Sequence, residues 1–212
     1  MKDTLKMVAA IVIFAVIACS GLAVVYQKTK PTIDDRKEKD LNNALAELFP
    51  QATSNELLKS ALESPDSSVK IGDVYKVEQN GKTIGLAVNA SSGGFQADIT
   101  ILVGIESDGK ITGIKILQQS ETPGLGANAS KKTYFVDKST KTTFYEQFAG
   151  KTVSDAMSVT KDGGDIIAIT AATITSRAVT KIVKNAAEAG AKWLSSNANA
   201  APAAQDVQGG VN

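Results

Sequence analysis

The feature that most restricts this chain lies near its start. Residues 7–26 form an uncharged run dominated by Val, Ile, Ala and Leu. At a helical rise of about 1.5 Å per residue such a run matches a hydrocarbon core of about 30 Å, so it can cross a membrane once. Lys2 and Lys6 precede it and Lys28 and Lys30 follow it, so basic residues on both sides leave its orientation open. Three fates are compatible with the run. It can be an uncleaved anchor, a signal peptide, or a lipoprotein signal, because Val16-Ile17-Ala18-Cys19 is similar to a lipobox. Its full spanning length favours the anchor, with residues 1–6 as a short tail.

The remainder is too long and too polar to follow the run into lipid, and its composition limits the chemistry. The 212 residues carry 23 basic and 22 acidic side chains, a net charge of +1, which gives no electrostatic footprint for nucleic acid. There is no histidine, which removes the usual general base and the commonest metal ligand. The single cysteine, Cys19, lies inside the apolar run. No catalytic residue and no metal site are expected, so any chemistry needs a borrowed cofactor or a partner.

After the run, Pro31 opens a segment in which Thr32 and Asp35 have capping-box spacing and Leu41, Ala44, Leu45 and Leu48 share one helical face. This predicts a juxtamembrane helix stopped by Pro50, then a short helix over residues 56–62, within a helical region spanning 27–72. From Asp73 the period changes to two. Tyr75 and Val77 alternate with Lys76 and Glu78, and after Asn80-Gly81 the alternation returns at Ile84, Leu86 and Val88, which reads as a hairpin. Ser91-Ser92-Gly93-Gly94 reads as a loop, and residues 97–105 and 111–117 flank Ser107-Asp108-Gly109-Lys110 as a second hairpin. A mainly antiparallel sheet with helices before and after it makes the class α+β. The domain should span 73–195. Residues 128–143 read as an exposed excursion, 144–148 as a helical turn closed by Gly150, and 196–212 as a disordered tail poor in large apolar residues.

Two stretches of the domain carry chemistry. The first is Thr170-Ala171-Ala172-Thr173-Ile174-Thr175-Ser176-Arg177. The apolar run 166–169 before it reads as a buried strand. Ala178, Val179, Ile182, Val183, Ala186, Ala187 and Ala191 after it recur at helical spacing, predicting a helix from about Ser176 to Leu194 with Thr175 or Ser176 as N-cap. Unpaired amides and the helix dipole at such a turn suit a phosphate. The second is Glu121-Thr122-Pro123-Gly124-Leu125-Gly126, where Pro-Gly-x-Gly forces a sharp turn and lets backbone come close to a ligand. Each has an ordinary alternative: hydroxyls that only cap, glycines that only turn.

Together the two stretches resemble the FMN-binding domain of membrane redox complexes. They are most similar to the G subunit of the Rnf complex, an ion-translocating ferredoxin–NAD oxidoreductase, and also resemble the C subunit of the sodium-pumping NADH–quinone reductase. The resemblance extends over residues 1–195. It implies an electron-transfer subunit, a redox component that is not catalytic alone, whose FMN is joined through its phosphate to Thr173. The Glu121, Thr122, Gly124, Leu125 and Gly126 loop would lie against the flavin, with Thr170, Ala171, Ala172, Thr175, Ser176 and Arg177 around the phosphate. It further implies a flavin transferase for maturation, other Rnf subunits as partners, especially the integral-membrane D, A and E subunits, and a cell-membrane location with the domain on the extracytoplasmic side. Two positions depart from the family pattern: Ala171 stands where a glycine is usual, and Ile167 where an aspartate is usual, with Asp165 two residues further back. Arg177 is otherwise a surface charge, Glu121 a partner for a lysine, and Trp193 a packing residue. The competing functions are a tethered binding module and a lipoprotein with a degenerate, non-redox flavin site.

Overall fold

The computed structural model describes residues 2–59 and 62–197 and divides the chain into two compact units, Met1–Asn43 and Ala44–Asn212. The first unit is most of helix α1, Lys2–Leu48. The large apolar side chains of residues 7–26 that are described are exposed, Phe14 at 74% and Leu22 at 71%. A helix that is apolar all round and uncovered by its own chain suits a lipid surround. It is the one helix among the described residues long and apolar enough to cross a membrane.

The expected new helix start at Thr32 and Asp35 does not occur, because Pro31 lies inside α1. Proline removes one backbone donor and crowds one carbonyl, a local penalty that the turns on either side can carry. Thr29 Oγ1, donating back to Val25 O at 2.8 Å, keeps the preceding turn bonded.

The second unit is built on a five-stranded meander. β1 (Ser54–Leu57), β2 (Lys70–Gln79), β3 (Lys82–Gly93), β4 (Asp98–Glu106) and β5 (Ile111–Gln118) lie in chain order, every neighbouring pair antiparallel. A two-stranded ribbon, β6 (Phe135–Asp137) with β7 (Thr142–Thr143), and helix α2 (Thr173–Asn197) complete it. The α+β class with a mainly antiparallel sheet is therefore correct. The β2–β3 hairpin turns at Asn80 (φ 52°) and Gly81 (φ 78°), the left-handed pair that matches the twist of the flanking strands.

Several boundaries differ from the sequence reading. The expected helix over 56–62 is replaced by β1, an edge strand with all four side chains exposed, held by its backbone ladder to β2 and by Lys76 Nζ at 3.1 Å from Glu56 Oε2. An edge strand with every side chain exposed leaves no apolar alternation to read; Ser60 and Ala61 lie outside the described residues. Residues 91–93 continue β3 instead of forming a loop. The excursion over 128–143 contains a 3-10 turn, Gly126–Ser130, with Asn128 and Ala129 buried, followed by the ribbon. Helix α2 reaches Asn197, past Leu194, and the expected tail otherwise falls outside the described residues.

The sheet buries both faces by different means. On one, Leu86, Val88 and Ala90 of β3 and Ile99, Ile101, Val103 and Ile105 of β4 pack with Val179, Ile182, Val183, Ala186 and Ala187 of α2. On the other, Phe49 sits at the end of α1 over Gly85 and Gly104. A Cβ built on Gly85 would fall 2.9 Å from the Phe49 ring and 2.3 Å from Ile105 O, and one on Gly104 3.1 Å from the ring. The neighbouring Leu48 lies over Gly113 in the same way. Glu47 adds ion pairs to Lys115 Nζ at 2.5 Å and Lys132 Nζ at 3.2 Å.

Candidate functional site

The connection into α2 is not the strand its apolar run predicts. Ile166 makes a single parallel bridge to Val159; Ile166 and Ile169 are buried and Ile167 is exposed. The side chain of Gln147 stands where a neighbouring strand would: its Nε2 donates to Ile167 O at 3.1 Å and its Oε1 accepts from Ile167 N–H at 2.8 Å. One glutamine thus satisfies a backbone that apolar periodicity assigns to a ladder. The chain then turns at Ala171, whose φ is +60°, the left-handed region that favours the glycine of the family pattern.

Helix α2 starts at Thr173, three residues before Ser176. Its first bond runs from Ser176 N–H to Ala172 O at 3.0 Å, so the amides of Thr173, Ile174 and Thr175 have no partner within the helix. The expected caps are engaged elsewhere. Ser176 Oγ accepts from Ile169 N–H at 3.0 Å and donates to Ala172 O at 2.9 Å, fully buried. Thr175 Oγ1 donates to Glu121 Oε2 at 2.5 Å. Ala172, at the position a cap would take, has no side-chain oxygen to offer.

Glu121 sits at the centre of the site. It is 4% exposed, and its Oε1 accepts from the amides of Phe95 at 2.9 Å and Gln96 at 3.0 Å. It therefore pairs with amides and a hydroxyl, not with a lysine. Burial pushes its carboxyl up, but the Thr175 hydroxyl and the amides of Gln96 and Phe95 outweigh burial and hold it below its ordinary value. Two glycines admit it: a Cβ on Gly94 would lie 2.5 Å from Glu121 Oε1, and one on Gly126 2.7 Å from Glu121 Oε2 and 2.5 Å from Thr175 Oγ1. The close approach expected at Gly126 serves this carboxylate. Gly124, with φ +80°, makes the turn, and its carbonyl accepts from Asn128 Nδ2 at 2.7 Å.

Between the two stretches lies a cleft of about 340 Å³ lined by Phe95, Glu121, Thr122, Leu125, Gly126, Ala171, Ala172, Thr173, Ile174 and Thr175. Nine of these ten lie in the two motifs, and eight are the site residues expected from the sequence; Ile174, inside its motif, and Phe95, outside both, are not among those eight. Four of the residues read as a site lie off the lining. Gly124 shapes the turn, Thr170 is exposed on the connection, and Ser176 is sealed beneath the helix start. Arg177 points to Asp162 instead, with Nε 2.7 Å from Oδ2 and Nη2 2.6 Å from Oδ1. Trp193 is half-buried against the core, a packing residue.

The lining fits a flavin nucleotide. Partnerless amides at a helix start suit a phosphate, and exposed Phe95, Leu125 and Ile174 supply apolar wall on a scale of roughly 300–1,000 Å³ usual for small-molecule sites. Residues 94–188 match the FMN-binding domain family. Over 184 residues the chain is 34% identical to the G subunit of the ion-translocating oxidoreductase complex of Aliivibrio fischeri, covering 82% of this chain and 84% of that one. The chain belongs to this family of G subunits. It is also 34% identical over 185 residues to the G subunit of the Na(+)-translocating ferredoxin:NAD(+) oxidoreductase complex of Acetobacterium woodii, covering 80% of this chain and 82% of that one. To the G subunit of the proton-translocating ferredoxin:NAD(+) oxidoreductase complex of Clostridium ljungdahlii it is 39% identical over 140 residues, covering 63% of this chain and 70% of that one. The family resemblance read from the two motifs is thus correct, and the family's FMN-binding domain contains the whole cleft. Phe95 and Ile174 escaped the sequence reading because one follows a glycine pair read as a plain loop and the other fits a helical apolar pattern; only their exposure marks them.

Proposed function

We propose that this chain is a membrane-anchored, electron-carrying subunit of an ion-translocating ferredoxin–NAD oxidoreductase, holding FMN through a phosphoester to Thr173. Family membership and the FMN-binding domain support the redox role within a multi-subunit membrane complex. The attachment point rests on the sorting of four hydroxyls. Ser176 is buried with both bonding roles taken, Thr175 is committed to Glu121, and Thr170 lies off the cleft. Thr173 lines the cleft, is half-buried, and stands at the first helical residue beside amides that no backbone carbonyl of the helix can meet.

Attachment needs help from outside the chain. Forming the bond between Thr173 Oγ1 and phosphorus, with FAD as donor, breaks the pyrophosphate linkage and releases AMP, and the hydroxyl proton must go to a base. The chain has no histidine, and the one carboxylate lining the cleft already accepts from Thr175. A separate flavin transferase supplies that base. Thr173 at the start of α2 would hold the resulting phosphodiester where the helix dipole favours a negative charge. When bound, the flavin provides one- and two-electron redox chemistry; the chain provides position, an anion-binding helix start and partial exclusion of water. The integral-membrane D, A and E subunits are the natural neighbours in this reading, and the domain lies on the extracytoplasmic side, a reading supported by the family resemblance.

Thr173→Ala should abolish protein-bound flavin while leaving the domain folded. The check is flavin fluorescence of the denatured band and the intact mass of chain produced alongside a flavin transferase. A variant that still carries flavin through denaturation moves the linkage elsewhere.

A further inference from the structure

Three of the large apolar side chains left exposed outside α1, Phe95 at 63%, Ile174 at 53% and Leu125 at 39%, line the one cleft that also holds Thr173. Isolated exposed apolar residues are ordinary; three of them on one concave surface are not. Phe95 is the largest of the three, and its backbone is tied to a buried carboxylate. Its amide and that of Gln96 both donate to buried Glu121, and Gly94 N–H closes the turn onto Ala97 O at 2.8 Å. Gly94 leaves no room to shift toward the carboxylate. The fold therefore fixes this backbone with a buried charge and then leaves the aromatic ring bare. A fixed, uncovered ring is a preorganised contact for something planar and apolar.

We propose that Phe95 packs against the isoalloxazine ring of the flavin held at Thr173, with Leu125 and Ile174 as further walls, and so sets how much of that ring solvent can reach. This rests on the flavin site proposed above. A planar tricycle that ends in a phosphate satisfies both halves of the cleft, the apolar rim and the helix-start amides. An apolar side chain from a protein partner would cover the rim and leave the amides without an anion. Phe95 is a positioning residue here, since no proton or electron has to pass through it.

The test compares full-length wild type, Phe95→Ala and Phe95→Tyr, each produced with a flavin transferase. Denatured-band fluorescence reports attachment; iodide quenching of flavin fluorescence and visible circular dichroism of the native chain report cover. Equal loading is expected in all three. Removing one wall of a site that covers most of its ligand should raise the Phe95→Ala quenching constant by roughly twofold and weaken its visible dichroism, with Phe95→Tyr close to wild type. Equal quenching and dichroism in wild type and Phe95→Ala overturn the proposal. Loss of loading in Phe95→Ala supports it if Phe95→Tyr restores loading and overturns it otherwise. If wild type itself carries no attached flavin, the attachment reading has failed, and free FMN titrated into the chains decides for Phe95. An affinity loss of roughly tenfold in Phe95→Ala supports it, and equal affinities or no binding sink it.

Discussion

The second unit uses glycine twice to bring a side chain against backbone, with opposite results. At the end of α1, Gly85 and Gly104 are filled by the ring of Phe49, and that side of the sheet is closed. At the cleft, Gly94 and Gly126 are filled by the carboxylate of Glu121, and the apolar side chains beside it stay open. The first is a packing contact whose large apolar side chains are buried from within the chain, although Thr112 Oγ1 beside Gly104 is buried without a hydrogen-bond partner. The second is a hydrogen-bonded frame whose large apolar neighbours, Phe95, Leu125 and Ile174, are exposed. What separates a structural glycine cluster from a ligand site is therefore not the glycines but whether the large apolar side chains next to them are already buried.

If that contrast is right, the closed side should be the more costly to damage. Phe49→Ala empties a ring-sized space over a floor that cannot refill it and should destabilise the second unit by about 3–5 kcal/mol. Thermal or denaturant unfolding of the detergent-solubilised chain measures this, and a loss under about 1 kcal/mol would mean the floor collapses onto the gap.

Glu121→Gln should cost less, about 1–3 kcal/mol, because the amide keeps one acceptor oxygen but faces buried amides and a hydroxyl with a weaker one. It also carries a pH signature. A carboxyl held below its ordinary value contributes stability that is present above its unfolded pKa, near 4.5, and is lost as pH falls through the lower folded value. Wild type should therefore lose this contribution on acidification below about pH 4.5, and Glu121→Gln should lack that part of the decline. Parallel stability curves for the two proteins between pH 6 and pH 3 would remove Glu121 from the frame.

The smallest effect expected is a gain. Ala171→Gly relieves a left-handed residue and should stabilise the domain by about 1 kcal/mol, read as a rise in the unfolding midpoint. Glycine adopts this turn without the Cβ strain, so flavin loading at Thr173 should hold or improve. A loss of stability would show that chain entropy outweighs the strain at this position.

The sequence was legible where a physical rule acts locally. Asn80-Gly81 has to turn, strict alternation has to make strands, and a long uncharged run has to leave water. The two motifs were joined as parts of one site by their resemblance to a known domain, since hydroxyls before a helix or a Pro-Gly-x-Gly turn alone each have an ordinary alternative. Reading failed where a distant group took over a local role. Residues 166–169 look like a strand, but Gln147, twenty residues away, bonds the backbone of Ile167, and Ile169 N–H goes to the Ser176 hydroxyl. Thr175 and Ser176 look like caps, but Glu121 and Ile169 claim their hydroxyls, which moves the helix start back to Thr173. Arg177 looks like a phosphate ligand until Asp162 is placed opposite its guanidinium. Gln147, Glu121 and Asp162 all lie outside the stretches they alter.

The carboxylate of Glu121 touches three stretches far apart along the polypeptide: the β3–β4 connection at Phe95 and Gln96, its own loop, and Thr175 on the last helix. The cradle consequently cannot exist on a nascent chain until nearly all of the domain has emerged. Whatever loads the site meets a finished fold, and a product cut short before α2 would have strands without a seat for the cofactor.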